Sequence, residues 1–248
     1  MISFMDRQPG GRYGVYFAPE RGGELERFGA AWLGRDNESV PPAAPVPPDG
    51  LSPEALPPDE WRAATESPRH YGFHGTLMPP FAPLPGVDEA GIVDRLETLA
   101  GSLAPFVLAP LSVREIGSFL ALVPEEQVWL AEAAEACLRS MTPLRRPPSP
   151  EENEARRASD LTPAQDRLLD EWGYPYVLAE FRFHITLTGR IKDPARRRRL
   201  ADILSGLAVP VTGRPHPVRE LCLFHQPDRS APFRLIHRAR LGNTKENS

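Results

Sequence analysis

Phe73-His74-Gly75-Thr76-Leu77 and Phe183-His184-Ile185-Thr186-Leu187 spell one pentapeptide twice, Phe-His-x-Thr-Leu. Along an extended chain successive side chains point to opposite faces, so each copy sets its histidine and threonine on one face and Phe, x and Leu on the other. Within a copy the His and Thr positions lie roughly 6.5–7 Å apart. Two such strands laid side by side bring two imidazoles and two hydroxyls to one point. Those groups can hold a phosphate and move protons on both sides of it.

Outward from the motifs, residues 71–78 read as a strand by strict alternation. His74, Thr76 and Met78 share its polar face, and Pro79-Pro80 ends it. Residues 181–190 read as the second motif strand, with Arg182, His184, Thr186 and Thr188 on one face. Residues 12–19 form a first strand, and residues 25–33 a short helix ending at Gly34. Ile92, Leu96, Leu99 and Leu103 recur at helical spacing. Strands are expected at 106–113 and 117–123, as a hairpin around Arg114-Glu115, followed by a helix at 125–141. Thr162-Pro163-Ala164-Gln165 is a capping-box helix start, and Gly173 stops that helix. Asp193-Pro194 opens a helix with an apolar stripe of Leu200, Ile203, Leu204 and Leu207, and strands at 216–224 and 232–241 close the chain. The unit motif strand–helix–two strands thus occurs twice. It gives a single duplicated α+β domain over 1–248. The proline-dense segments 41–58 and 143–160 are expected as loops or connectors, and 243–248 as a frayed tail.

The chain has 248 residues and a formal net charge of -4, enough length for a sizeable core and no global basic field for a nucleic-acid coat. Its two cysteines, Cys137 and Cys222, form no CxxC pair and read as core residues. No signal-like or membrane-spanning apolar run occurs, so a soluble cytoplasmic protein is expected.

Two histidines can cut a phosphodiester without a metal. One neutral imidazole takes a proton from the attacking water, and the other, as imidazolium, protonates the departing oxygen. Thr76 and Thr186 can donate to the non-bridging oxygens, and an arginine can stabilise developing charge; Arg182 and Arg12 are the candidates. A packing role explains the Phe, the Leu and the alternation, but it does not ask twice for His and Thr on the polar face. A zinc set of His70, His74 and His184 lacks an HExxH motif and a carboxylate cluster, so neither metal nor cofactor is expected. The run Arg196-Arg197-Arg198-Arg199 reads as a solvated helix face.

The paired HxTL motifs resemble those of the 2H phosphoesterase superfamily, and more narrowly an uncharacterised branch associated with phosphonate-utilisation operons. The resemblance extends over 12–19, Trp32-Leu33-Gly34-Arg35-Asp36, 68–77, 181–189 and Leu223-Phe224-His225-Gln226-Pro227. It implies a bilobal fold with two antiparallel sheets around a central cleft and helices outside. It also implies metal-independent cleavage or formation of cyclic or 2′-5′ phosphodiesters, with His74 and His184 as the acid–base pair and Thr76 and Thr186 as phosphate holders. The branch carries a lysine directly after its first HxTL, where this chain has Met78, which alternation turns toward the cleft. With Arg182 and Thr188 beside the second copy, that half is expected to hold the phosphate. The leading expectation is hydrolysis of a small cyclic phosphodiester. RNA end processing (2′,3′-cyclic phosphodiesterase or 2′-5′ RNA ligase type) and a non-catalytic phosphate-ligand protein are the alternatives.

Overall fold

The computed structural model describes residues 11–39 and 45–242. The expectations for the first ten residues, for 40–44 in the proline-rich segment and for the tail from 243 lie outside these residues. In chain order the elements are β1 (Arg12–Phe17), α1 (Glu24–Leu33), α2 (Pro58–Tyr71), β2 (Gly75–Phe81), α3 (Glu89–Ser102), β3 (Phe106–Leu108), β4 (Leu111–Ile116) and β5 (Phe119–Pro124). There follow α4 (Val128–Met141), α5 (Pro150–Arg157), α6 (Pro163–Trp172), β6 (Ile185–Thr186), α7 (Pro194–Leu207), β7 (His216–Val218), β8 (Glu220–Gln226) and β9 (Arg234–Arg240).

The class is α+β with two antiparallel sheets: a seven-stranded one, ordered β4-β5-β6-β2-β1-β8-β9, and a small β3-β7 pair. The large sheet has two halves, β2-β1-β8-β9 and β4-β5-β6, joined through the single pair Gly75↔Ile185. The motif strands are therefore neighbours, and the seam between the halves runs through both motifs. On one side, Tyr13, Val15 and Phe17 of β1 enter the main core, where α4 packs on β2 and α3 on β9. On the other face, Tyr16 and Ala18 join Cys222, Phe224, Phe233 and Leu235 in a second cluster beneath His74. Among the described residues no helix is long and apolar enough to cross a membrane.

Capping chemistry placed several helices where the sequence put them. Gly34 and Gly173 end α1 and α6 in the left-handed region, and Thr162 and Gln165 close a capping box on α6. Asp193 caps α7.

The strands depart from the expected bounds for identifiable reasons. Tyr71 belongs to α2, and β2 begins only at Gly75 but continues through Pro79-Pro80 to Phe81. Because β6 is two residues long, β2 beyond Gly75 has no ladder partner on that side, and proline is tolerated there. The β1–β2 register shifts after Tyr16↔Thr76 to Val15↔Met78, so Leu77 is an extra residue in β2. The bulge breaks the alternation: Leu77 and Met78 are both buried, and Met78 lies in the core rather than at the cleft.

The second motif strand shrinks to Ile185–Thr186 because the backbone N–H groups of Leu187 and Thr188 both donate to the Leu120 carbonyl, at 2.9 and 3.2 Å. The Thr188 hydroxyl is buried against β5, accepting from Leu120 N at 3.0 Å and donating to the Gly189 carbonyl at 2.9 Å, so it does not face the cleft. The β4–β5 hairpin turns at Gly117, whose φ is 56°, rather than at Arg114-Glu115. β3 leaves that hairpin to pair with β7. The 143–160 segment is not only loop: Ser149 and Glu152 form a capping box that starts α5.

Candidate active site

His74 stands immediately before β2 and His184 immediately before β6. The antiparallel register that puts Gly75 opposite Ile185, carried one residue either way, sets His74 across from Thr186 and Thr76 across from His184. His74 Nδ1 lies 3.0 Å from the Gly72 carbonyl, and His184 Nδ1 lies 2.9 Å from the Arg182 carbonyl. A carbonyl only accepts, so each Nδ1 carries a proton and donates it. That leaves Nε2 of both rings as the working nitrogen. Thr76 Oγ1 is 3.4 Å from His74 Nε2.

The two histidines have different surroundings. His74 stacks on Tyr16, with ring centroids 4.0 Å apart, and lies 5.7 Å from the Phe224 ring. Burial, and then the facing charges of His184 and Arg35, push its pKa down to about 4, although the hydrogen bond to Gly72 works the other way. His74 is therefore a neutral imidazole near pH 7, suited to accept a proton. Both rings are half-buried, and His184 meets the Phe119 ring at 5.6 Å instead of a tyrosine.

Side-chain amides hold both motifs in place. Asn37 Oδ1 accepts from Phe73 N and its Nδ2 donates to the Phe73 carbonyl, both at 2.8 Å. Gln127 treats Phe183 similarly: its Oε1 accepts from Phe183 N at 2.8 Å, and its Nε2 donates to the Phe181 carbonyl at 3.2 Å. Arg35 is buried and donates to the carbonyls of Asp36 (2.8 Å), Arg69 (3.0 Å) and Phe233 (2.8 Å), which ties the end of α2 to the start of β9. The motif phenylalanines need glycine partners. A Cβ on Gly75 would sit 2.2 Å from the Phe183 ring, and one on Gly29 would sit 2.2 Å from the Phe73 ring.

Of the expected phosphate holders, Thr76 and Thr186 are half-buried beside the histidines. Arg182 is exposed, and its guanidinium folds back onto the carbonyls of Ala179 (3.1 Å) and Phe181 (2.7 Å). Its carbonyl, not its charge, touches His184. Arg12 lies on the Tyr16 face of β1, donating to Gln226 Oε1 and stacking over the Phe233 ring at 5.3 Å. Thr188 and Arg182, expected to equip the second half, are thus engaged elsewhere, while Tyr16 and Arg12 lie on the His74 side.

The remaining histidines have other partners. His70, in the last turn of α2 rather than on a strand, approaches Gln226 Nε2 at 2.9 Å. His225 stacks on Tyr13 at 4.6 Å, on the opposite face of the sheet. His216 meets the Val211 carbonyl, and His237 meets Glu97. In the arginine run, Arg196 and Arg199 pair with Glu60 and Arg197 with Glu115, as a solvated helix face would. Among the described residues no group of three or more His, Cys, Asp or Glu side chains is arranged to hold a metal ion.

Sequence reasoning missed Asn37, Gln127 and Tyr16 as site residues. Tyr16 lies in a strand that the sequence does mark. Asn37 directly follows the Trp32–Asp36 block, and a polar residue just past a helix stop was its only signal. Gln127 had none.

The chain is similar to two proteins named "Ribose 1,5-bisphosphate phosphokinase PhnN". One, from Laribacter hongkongensis (strain HLHK9), is 36% identical over 228 residues, 90% of this chain and 50% of that protein. The other, from Janthinobacterium sp. (strain Marseille), is 33% identical over 180 residues, 71% of this chain and 38% of that protein. The chain therefore spans about half or less of the length of the curated relatives it matches. Among solved structures, E. coli LigT complexed with 3′-AMP matches at TM-score 0.43 and 15% identity, covering 93% of this chain and 98% of that one. TT0787 of Thermus thermophilus matches at TM-score 0.44 and 19% identity, with the same coverage. Residues 76–234 match the family described as "Protein of unknown function (DUF1045)", well over half of the sequence, and the chain belongs to that family.

Proposed function

We propose that this protein is a phosphoesterase that hydrolyses a small cyclic phosphodiester by paired-histidine acid–base catalysis. The observation that carries the proposal is the matched presentation of two imidazoles. Each gives its Nδ1–H to a backbone carbonyl two residues upstream and offers Nε2 at the seam between adjacent strands.

In the proposed step, His74 Nε2 removes a proton from water as the water oxygen bonds to phosphorus. The bond from phosphorus to one ester oxygen breaks, and the His184 imidazolium gives its Nε2 proton to that oxygen. The ring opens to a phosphomonoester and a hydroxyl, and the two histidines exchange protonation states, to be reset through solvent. Thr76 and Thr186 donate to the non-bridging oxygens. The low pKa of His74 favours it as the base, since it stays unprotonated at neutral pH. The apolar floor of Tyr16 and Phe224 excludes water from one side of its ring. The chemistry runs on two imidazoles and asks for no metal.

The substrate class proposed is a cyclic phosphate of a small sugar, within phosphonate breakdown. Support comes from the operon association of the resembling branch and from the two relatives named for a kinase of ribose 1,5-bisphosphate.

The test is a panel assay in EDTA. It contains sugar cyclic phosphates, 2′,3′-cyclic mononucleotides and oligonucleotides with cyclic ends, run with the wild type, His74→Ala and His184→Ala. Turnover of small cyclic phosphates is expected, with losses of about 10²–10⁴ in each variant. Activity that survives both substitutions overturns the proposal. A clear preference for oligonucleotides transfers it to RNA end processing. Tight phosphate binding without turnover anywhere makes the protein a binding module.

A further inference from the structure

Beyond the histidines, at the C-terminal end of β2, a pocket is lined by five arginines: Arg12, Arg145, Arg146, Arg156 and Arg229. Among the described residues that line it, Glu152 is the one carboxylate, and it is divided three ways. It meets Arg146 at 3.4 Å and Arg229 at 3.2 Å, and accepts from Ser149 N at 2.9 Å to cap α5. Arg12 is satisfied by a neutral amide, Gln226. Arg145 donates to the Trp172 carbonyl, but its Nε is buried with no partner among the described residues, and so is Arg156 Nη1. Burial and then Arg229 lower the pKa of Arg12; burial and then Arg156 lower that of Arg145.

A second arginine-lined pocket is matched more fully with acids. Of the four arginines that line the pocket beside Phe17, Arg21, Arg219 and Arg238 pair with Glu38 (2.7 Å), Glu20 (3.0 Å) and Glu220 (2.9 Å), and Arg240 is the fourth. The cluster at β2 is left with a surplus of positive charge and with buried cationic donors unmet. Such donors are expensive unless a ligand satisfies them. Planar guanidinium groups converging on one pocket suit the oxygens of a phosphate.

The pocket and the site share one face of β1, through Arg12 in the pocket and Tyr16 at His74. Tyr16 stacks on His74, and its ring folds back over Gly14, where a Cβ would sit 2.6 Å from the phenolic oxygen. Phe233 fills the next place, 6.2 Å from Tyr16 and 5.3 Å from the Arg12 guanidinium. Four positions along a strand span about 13 Å between Tyr16 and Arg12 backbones. The long Arg12 side chain shortens that gap, since its guanidinium reaches the Phe233 ring that neighbours Tyr16.

We propose that the arginine pocket is a second anion subsite that binds a phosphomonoester on the same substrate whose cyclic phosphate lies at the histidines. The proposal rests on the phosphoesterase reading for the first phosphate and adds a class: a doubly phosphorylated sugar or nucleoside.

The experiment compares adenosine 2′,3′-cyclic phosphate with its 5′-phosphorylated form in the wild type, Arg156→Gln and Arg229→Gln. The wild type is expected to favour the 5′-phosphorylated probe in kcat/KM by at least about tenfold. Each variant is expected to bring that ratio toward one. Arg156→Gln removes a guanidinium nitrogen that has no partner among the described residues. A wild-type ratio near one, or a ratio unchanged in both variants, overturns the subsite. Calorimetry with adenosine 2′,5′-bisphosphate against adenosine 2′-monophosphate separates the two readings when neither probe is turned over. A bisphosphate preference that Arg156→Gln removes then keeps the subsite while the phosphoesterase reading fails; equal affinities overturn the subsite.

Discussion

Asn37 and Gln127 occupy equivalent posts in the two halves of the molecule. Each accepts from the backbone N–H of the motif phenylalanine through its amide oxygen, at 2.8 Å, and donates through its amide nitrogen to a carbonyl beside it. The duplicated motif thus comes with duplicated support, although one amide follows a helix and the other precedes one.

Replacing Asn37 by alanine strands a buried N–H and a buried carbonyl at Phe73. We expect a stability loss of about 2–3 kcal/mol, read by urea denaturation. We also expect a fall in kcat that exceeds any rise in KM, because His74 is the next residue along the chain. Gln127→Ala should do the same to His184 with a smaller stability cost, its second hydrogen bond being 3.2 Å long. Full kcat in the folded Asn37→Ala protein would remove the positioning role.

The His74 pKa of about 4 fixes a pH dependence with a definite sign. In the unfolded chain a histidine titrates near 6.5. Between about 6.5 and 4 the unfolded state therefore binds a proton that the folded state refuses, and stability falls as pH falls through that window. The full difference is roughly 3 kcal/mol. Urea midpoints from pH 7.5 to 4 should show this slope in the wild type and a reduced slope in His74→Gln. The acidic limb of kcat/KM should also lie well below pH 6.5.

Gly75→Ala pushes a methyl group into the Phe183 ring at the one pair that joins the two halves of the large sheet. Overpacking of this kind costs about 1–3 kcal/mol. A fall of several degrees in the melting temperature is expected, with activity lost in proportion to the displacement of both histidines. A variant as stable as the wild type would mean the seam relaxes freely.

Met78→Lys tests the bulge. If strand alternation held, the new amine would reach the cleft and strengthen phosphate binding. Met78 is fully buried, so the substitution is expected to destabilise by several kcal/mol through an unpaired charge in the core. Thermal denaturation and phosphate titration of the same sample distinguish the outcomes.

The sequence by itself determined the duplication, the α+β class, the capped helices and the identity of the two histidine–threonine pairs. Those features are written in local chemistry: side-chain alternation, capping boxes and glycine stops act within a few residues. Only the tertiary structure decided where Met78, Thr188, Arg182 and Arg12 point. Met78 enters the core because a bulge opposite Tyr16 inserts Leu77, and Thr188 is drawn onto the Leu120 backbone. Asn37 and Gln127 gained their roles from partners that folding alone brought near them. The seam shows the same division. Phe-His-x-Thr-Leu announces two strands, but that they meet through Gly75 and Ile185 depends on Phe183 packing where Gly75 has no side chain. It also depends on a β5 long enough to hold β6 beside it.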